Sequence, residues 1–331
     1  MKSRSFRLLL ILLCLLVFPF RAPAPLIYRP GEGWSYEPVG GEGKWQRARA
    51  KEQLDVAQSA FAKKDYGLAL KAARRVVKVW PLSDYAPPAQ YLVGRCYEAK
   101  GQDEKAFREY QKVLQKQPKI ANYKEILERQ MVIADKYLAG KWFKLWGFIP
   151  IFSSMDKTAD MYDKIVKNGP YSDVAPQAQL KIGAAREKQK NYALAAKAYE
   201  SAADRYHDRP TIAAEALYRE GVSFHKQAQT AEYDQSTAGQ AIATFTDFMT
   251  LYPNDSRIND AQKTISSLRH EQARGNLQIA KFYEKYHRWR GAVVYYNEVV
   301  ALTLTEPNSP YALEARKRIE TLTKMMEGKS N

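Results

Sequence analysis

Cysteine and histidine are scarce in this sequence. Its 331 residues include two cysteines, Cys14 and Cys96, and four histidines. Two cysteines cannot form the disulfide framework of a small secreted domain. Neither the cysteines nor the histidines stand at the spacing that metal ligands need. We therefore expect no metal site and no cofactor.

Sequence signatures of catalysis are also lacking. The chain contains no phosphate-binding glycine loop, no dinucleotide-binding glycine pattern and no G-x-S-x-G nucleophile turn. Carboxylate pairs such as Glu125 and Glu128 stand at helical spacing, where solvation and pairing with lysine or arginine are their usual roles. We expect no catalytic residues and no enzymatic activity.

Apolar runs long enough to cross a membrane are missing as well. The run from Leu8 to Phe18 is too short to span a bilayer comfortably. It follows a basic stretch and precedes Ala22-Pro23-Ala24, an arrangement typical of a secretory signal over residues 1–24. A lipid anchor on Cys14 is the less favoured alternative, because Leu13 stands where lipid-attachment motifs usually have a small residue.

Acidic residues are outnumbered by basic ones. Lys and Arg total 52 against 36 Asp and Glu, which gives a formal net charge of +16. This excess favours an anionic partner or an anionic membrane surface. The predicted export argues against a nucleic-acid partner despite the positive charge.

From about residue 47 onward, small and aromatic residues recur at helical spacing. The clearest unit follows the order of a tetratricopeptide (TPR) repeat: Gly94, Tyr97, Gly101, Ala106, Tyr110 and Pro118. The small residues let two helices approach closely, the aromatics fill the space between them, and the proline ends the second helix. Comparable units start near residues 50, 127, 176, 214 and 273.

These repeats predict an all-α protein, an α-solenoid of about six TPR-like helix pairs. Ser309-Pro310 is typical of a helix start and predicts a C-terminal capping helix. The predicted divisions are a secretory signal (1–24), an extended Pro/Gly-rich arm (25–46), an N-terminal TPR pair (47–120), a divergent TPR (121–175) and C-terminal TPRs with the capping helix (176–326). The arm has no visible strand period and is either a flexible spacer or docked over the first helices.

The divergent third repeat contains an aromatic insertion, residues 141–154. Its large apolar side chains are Trp142, Phe143, Trp146, Phe148, Ile149, Ile151 and Phe152. The simpler hypothesis is that they fill the groove between neighbouring repeats and enlarge the core. The alternative is a hairpin that dips into a membrane or docks a partner, with Lys141 and Lys144 at the headgroups.

Binding is expected on the concave wall that the first helices of TPR pairs form. In repeats one and two, outward positions carry aromatic and charged side chains suited to an extended, aromatic-ended peptide: Gln58, Phe61, Tyr91, Arg95 and Glu98. The alternative is that Phe61 and Tyr91 pack against the arm. Weaker candidates for a docking surface lie in the later repeats: Tyr218, His225, Lys226, Arg274, Lys281 and Lys285.

The order of these parts resembles a known family. The signal, the TPR-like pairs, Tyr252-Pro253-Asn254-Asp255-Ser256 and the late stretches Ala280–Tyr283, Ala292–Tyr296 and Pro310–Ala315 are similar to the BamD (ComL) family. That family supplies the TPR subunit of the outer-membrane β-barrel assembly machine. The resemblance implies a non-enzymatic scaffold at the periplasmic face of the outer membrane. Its implied partners are an Omp85-type barrel subunit and unfolded outer-membrane proteins.

Two other functions remain open from the sequence. One is an envelope TPR scaffold linked to peptidoglycan or cell division. The other is a cell-wall lyase with an α-superhelix, which would need a compact lobe holding a general-acid glutamate. We find no non-repetitive segment long enough for such a lobe.

Overall fold

The computed structural model describes residues 26–36, 44–145, 149–230 and 235–327. In these ranges the chain forms thirteen α-helices and two short β-hairpins. The predicted all-α TPR solenoid with a final capping helix is confirmed. The chain divides after Ile126 into two compact units.

The first unit contains a hairpin followed by two helix pairs. Each helix packs on the next one in the chain. The elements are β1 (Leu26–Arg29), β2 (Gly33–Tyr36), α1 (Ala50–Ala62), α2 (Tyr66–Val79), α3 (Ala86–Ala99) and α4 (Asp103–Lys116).

The second unit holds most of α5 (Tyr123–Leu138) and the remaining helices. From α6 onward each helix packs on the next, and α13 covers the last pair. The elements are β3 (Phe143–Leu145), β4 (Ile149–Phe152), α6 (Met155–Asn168), α7 (Ala175–Lys188), α8 (Tyr192–Arg205), α9 (Pro210–Thr230), α10 (Gln235–Leu251), α11 (Ile258–Lys285), α12 (Trp289–Leu302) and α13 (Pro310–Glu327).

The helices of a pair meet where a small residue faces an aromatic ring. A Cβ atom added to Gly183 would lie 2.4 Å from the ring of Tyr199, and one added to Gly94 would lie 2.4 Å from that of Tyr110. Both tyrosine side chains are fully buried. Glycine is therefore required at these positions, because any side chain would force the two helices apart.

The same backbone turn closes the first helix of several pairs. Lys64, Gly101, Lys190 and His287 adopt left-handed φ angles of 61°, 66°, 59° and 56°. After α7, for example, the Lys190 N–H donates to the Glu187 carbonyl (2.8 Å) and the Asn191 N–H to the Arg186 carbonyl (3.0 Å). Such bonds satisfy carbonyls at the helix end, so the chain reverses at the same point of each repeat.

The sixth repeat, predicted to start near residue 273, does not begin with a new helix. This start falls inside α11, a single helix of 28 residues. The first half of α11 packs Ala261 and Ile265 against aromatic rings of α10, and its second half packs Leu277 and Ala280 against α12. Apolar residues continue at helical spacing through both halves, so nothing interrupts the helix.

The predicted arm contains the hairpin β1–β2, although its sequence shows no strand period. Gly31 and Gly33 adopt positive φ angles of 76° and 72°, which the tight turn between the strands requires. The Asp84 N–H donates to the Gly31 carbonyl (2.8 Å). The buried carboxylate of Glu32 lies 3.9 Å from the guanidinium group of Arg49. These contacts hold the hairpin against α1 and the α2–α3 turn.

Replacing Gly183 with alanine tests the interlock between helices. We expect Gly183→Ala to destabilise the protein by about 1–3 kcal/mol, because the methyl group collides with the Tyr199 ring. The measurement is the free energy of unfolding from a denaturant titration. Gly239→Ala is the matched control, since a Cβ at Gly239 in α10 meets nothing within 4 Å. The control should be neutral or stabilising by up to about 1 kcal/mol; an equal loss in both variants contradicts the prediction.

Candidate binding surfaces

Three of the predicted peptide-binding residues meet in the first unit. The Arg95 guanidinium group on α3 lies 5.4 Å from the ring centre of Phe61 on α1 and 5.8 Å from that of Tyr91. It also donates to the Tyr91 hydroxyl (3.1 Å) and pairs with Glu125 (3.4 Å). We call Phe61, Tyr91 and Arg95 the arginine–aromatic cluster. It offers two ring faces and a partly exposed cation to a ligand.

The other two predicted residues of this set lie beside the cluster. Gln58 is exposed on α1, one helical turn before Phe61. Glu98 is half-buried and accepts a hydrogen bond from the Tyr110 hydroxyl (2.5 Å). The Tyr110 ring lies 5.8 Å from that of Tyr91, so Glu98 joins the cluster indirectly. Its bond to Tyr110 links α3 to α4.

The alternative role of Phe61 and Tyr91 was packing against the N-terminal arm. The Phe61 ring contacts that of Tyr66, the Tyr91 ring contacts that of Tyr110, and both lie near Arg95. The hairpin contacts the α2–α3 turn and Arg49, and residues 37–43 of the arm lie outside the described residues, so packing of the arm on Phe61 and Tyr91 stays a prediction.

Sequence reasoning missed a recurring pair of tyrosine and glutamate. The Tyr296 hydroxyl donates to Glu284 (2.8 Å), with the same twelve-residue separation as Tyr110 and Glu98. Tyr199 and Glu187 stand at the same spacing, and burial followed by the Glu187 charge raises the pKa of Tyr199. The repeated spacing in the sequence is the signal that could have revealed these pairs.

Two of the weaker candidates on α9 contact residues outside that helix. Tyr218 packs against Phe245 and Phe248 of α10 and lies under the Arg257 guanidinium group, 4.7 Å from the ring centre. Lys226 is 3.9 Å from the Glu187 carboxylate. Burial, and then the charge of Lys226, lowers the pKa of His225. That histidine is therefore biased towards its neutral form.

The weaker candidates on α11 are spread along its exposed face. Arg274 pairs with Glu271 and Lys281 pairs with Glu314, each at 2.6 Å. Lys285 is exposed at the end of the helix. The structure thus distributes these side chains over two helices rather than gathering them around one cavity.

The aromatic insertion is described in part. Phe143 is buried, and its ring stacks on that of Tyr137 with the ring centres 4.3 Å apart. The Lys157 ammonium group lies over the Phe143 ring, 5.2 Å from its centre. Trp142 is 54% exposed. Phe143 thus enlarges the core of the second unit, while Trp142 faces solvent.

The remaining large apolar residues of the insertion are Trp146, Phe148, Ile149, Ile151 and Phe152. Trp146 and Phe148 lie outside the described residues. Ile149, Ile151 and Phe152 belong to β4, whose backbone pairs with β3 in an antiparallel hairpin.

A buried glutamate is the most perturbed acid on α9. Glu220 is 8% exposed, and burial raises its pKa to about 7, with further contributions from Glu200, Asp204 and Asp247. These neighbours come from α8 and α10, so three helices bring the four carboxyl groups together. Glu220 is missing from the predicted residues because its burial depends on contacts that the local sequence does not reveal.

The described ranges lack two features, a metal-binding cluster and a membrane-spanning helix. They contain no group of three histidine, cysteine, aspartate or glutamate residues that could hold a metal ion. None of their helices combines the length and apolar character needed to cross a membrane.

Comparison with protein families matches two parts of the chain. A family described as Outer membrane lipoprotein (YfiO) matches residues 153–303, and a tetratricopeptide repeat family matches residues 88–119. A curated relative, the outer membrane protein assembly factor BamD of Caulobacter vibrioides, is 24% identical over 158 residues. That match covers 48% of this chain and 52% of the relative, so the chain spans about half the length of the relative.

Solved structures of TPR proteins show a distant likeness. The C-terminal part of a TPR repeat-containing protein from Cytophaga hutchinsonii is 14% identical, with a TM-score of 0.35, over 81% of this chain and 87% of that one. A TPR protein from Parabacteroides merdae is 13% identical, with a TM-score of 0.34, over 82% and 98%. At these TM-scores the likeness supports no conclusion about function.

The helix pairs, their glycine–aromatic contacts and the matched repeat family define a tetratricopeptide repeat protein. Within this class, the family match over residues 153–303 and the similarity to the Caulobacter relative point to outer-membrane TPR proteins as a similar group. The chain is thus a TPR protein that is similar, over part of its length, to the Outer membrane lipoprotein family and to BamD.

Replacing Glu220 with glutamine tests the electrostatics of α9. Because the folded pKa of about 7 exceeds the ordinary value of 4.5, the folded state binds the proton more tightly than the unfolded state does. The contribution of Glu220 to stability is therefore fully present below pH 4.5 and is lost as pH rises through 7. Glu220→Gln should flatten the pH dependence of the unfolding free energy across this window and stabilise the protein at pH 8.

The exposed Glu298 on α12 provides the control for this prediction. Glu298→Gln should leave the pH profile of the parent protein unchanged. A Glu220→Gln profile with the parental slope between pH 4.5 and 7 would contradict the assignment.

Proposed function

We propose that this chain is a non-enzymatic scaffold for outer-membrane protein assembly at the periplasmic face of the outer membrane. The observation that carries the proposal is the Outer membrane lipoprotein match over residues 153–303. This range runs from the start of α6 to the end of α12, so it covers whole helix pairs rather than one isolated motif. The named role of the Caulobacter relative, a factor in outer membrane protein assembly, supports the same function.

The arginine–aromatic cluster is the proposed site for extended segments of unfolded outer-membrane proteins. Aromatic side chains of such a segment can stack on Phe61 and Tyr91, and a terminal carboxylate can pair with Arg95. The Arg95 side chain is 29% exposed, so its cation is reachable from solvent. Gln58 and Glu98 flank the cluster and can bond to the backbone of an extended segment.

The second unit is the proposed docking surface for an Omp85-type barrel subunit. Lys226, Arg274, Lys281 and Lys285 place positive charge along α9 and α11, which suits a partner with an acidic surface. Tyr218 and His225 lie on the same helix as Lys226 and complete the proposed surface. Trp142 adds an exposed ring in the insertion for contact with a partner.

Peptide binding tests the arginine–aromatic cluster directly. Arg95→Gln removes the cation that holds both rings, so the affinity for a peptide ending in an aromatic residue with a free carboxylate should fall at least tenfold. Fluorescence anisotropy of a labelled peptide measures this affinity. Arg74→Gln is the matched control, because Arg74 also lies over a tyrosine ring, 5.3 Å from the centre of Tyr97, but outside the cluster. Equal affinities for the two variants would remove the proposed site.

Co-purification tests the proposed function itself. The affinity-tagged chain, extracted from its native envelope under mild conditions, should retain an Omp85-type barrel protein identified by mass spectrometry. Charge reversal at Lys226 and Arg274 should reduce the recovered barrel protein severalfold, since both residues belong to the proposed docking surface. Recovery of peptidoglycan or cell-division proteins in its place would overturn the assembly role.

A further inference from the structure

The end of α11 and the turn that follows it carry the exposed rings of Phe282 and Tyr286, while the nearby Trp289 is partly buried against the core of the last helices. The rings of Phe282 and Tyr286 lie 4.7 Å apart, and those of His287 and Trp289 lie 5.0 Å apart. Phe282 is 59% exposed and Tyr286 is 58% exposed. Exposed apolar groups clustered in this way mark interaction sites in soluble proteins more often than isolated ones do. We call residues 281–291 the aromatic tip.

The tip is strongly basic. Lys285, Arg288 and Arg290 are exposed, and none of them has a carboxylate within ion-pair distance among the described residues. Glu284 is the acid of this segment, but its carboxylate is occupied by Arg318 and by the Tyr296 hydroxyl. The outward charge of the tip is therefore positive.

A shallow cavity adjoins these cations. It has a volume of about 420 Å³ and lies between the α11–α12 turn and the end of α13, lined by His287, Arg288, Trp289, Arg290 and Met326. His287 holds a left-handed φ of 56°, which fixes the turn beneath the two arginines. Arginine guanidinium groups beside a cavity of this kind suit a phosphate oxygen as ligand.

We propose that the aromatic tip binds the headgroup layer of an anionic phospholipid bilayer. A tyrosine side chain such as that of Tyr286 combines an apolar ring with a polar hydroxyl group, which suits the boundary between headgroups and acyl chains. Arg288 and Arg290 contact lipid phosphates, and Phe282 and Tyr286 enter the interface. A bilayer is favoured over an acidic protein because the exposed rings of Phe282 and Tyr286 stand beside exposed cations at the same turn, and this pairing of apolar and basic side chains suits an anionic membrane interface.

This proposal does not depend on the assembly role, because its test uses vesicles that contain no protein. The chain from Pro25 onward keeps every described residue and excludes any lipid attached at Cys14. Its binding is measured by cosedimentation with phosphatidylglycerol-containing vesicles and, in parallel, with pure phosphatidylcholine vesicles. We expect binding to the anionic vesicles alone, weakening as salt rises.

Two variants assign the binding to the tip. Arg288→Ser combined with Arg290→Ser should weaken binding to anionic vesicles at least tenfold. Phe282→Ser combined with Tyr286→Ser should weaken it to a similar extent. All four side chains are largely exposed or at the turn, so the melting temperature should remain close to that of the parent chain.

Matched controls separate the tip from general charge and apolar effects. Lys116→Ser with Lys119→Ser removes two exposed cations near the end of α4, and Leu82→Ser removes an apolar side chain that is 92% exposed. These variants should bind anionic vesicles as the parent chain does. The proposal is overturned by a parent chain that binds no vesicles, by equal binding to both vesicle types, or by control variants that lose binding as strongly as the tip variants.

Discussion

The close approach of two helices at a glycine facing an aromatic ring is the contact on which the rest of this structure depends. Gly94 and Tyr110, Gly183 and Tyr199, and Gly221 and Phe245 are instances of the same contact. Because a ring fills the space that a side chain on the first helix would occupy, the separation of the pair is fixed. The fixed separation also places a glutamate of the first helix beside the tyrosine hydroxyl, as Glu98 lies beside Tyr110.

The sequence predicts features set by the spacing of nearby residues and misses contacts between helices that lie far apart in the chain. The helix pairs could be recognised because each one needs small and aromatic residues at fixed spacing, as at Gly94 and Tyr110. The length of α11 was missed although apolar residues recur at helical spacing through both halves, because the repeat frame placed a start near residue 273. Phe61, Tyr91 and Arg95 were predicted by residue type, but their stacking requires α1 and α3 to be adjacent. Glu220 was missed because carboxyl groups from three helices surround it.

The proposed binding surfaces share one chemistry. Arg95 lies over Phe61 and Tyr91 in the first unit, and arginines stand beside exposed rings at the aromatic tip of the second. A cation next to an aromatic face can hold a chain terminus or a phosphate without transforming it. This chemistry suits a scaffold that positions other molecules and needs no reactive group.

A double-mutant cycle between Gly183 and Tyr199 tests the interlock most directly. Unfolding free energies are compared for the parent chain, Gly183→Ala, Tyr199→Leu and the double variant. If the ring and the glycine are complementary, the smaller leucine makes room for the added methyl group. The double variant should then lose at least about 1 kcal/mol less than the sum of the single losses. Additive losses, within about 0.5 kcal/mol, would contradict the account.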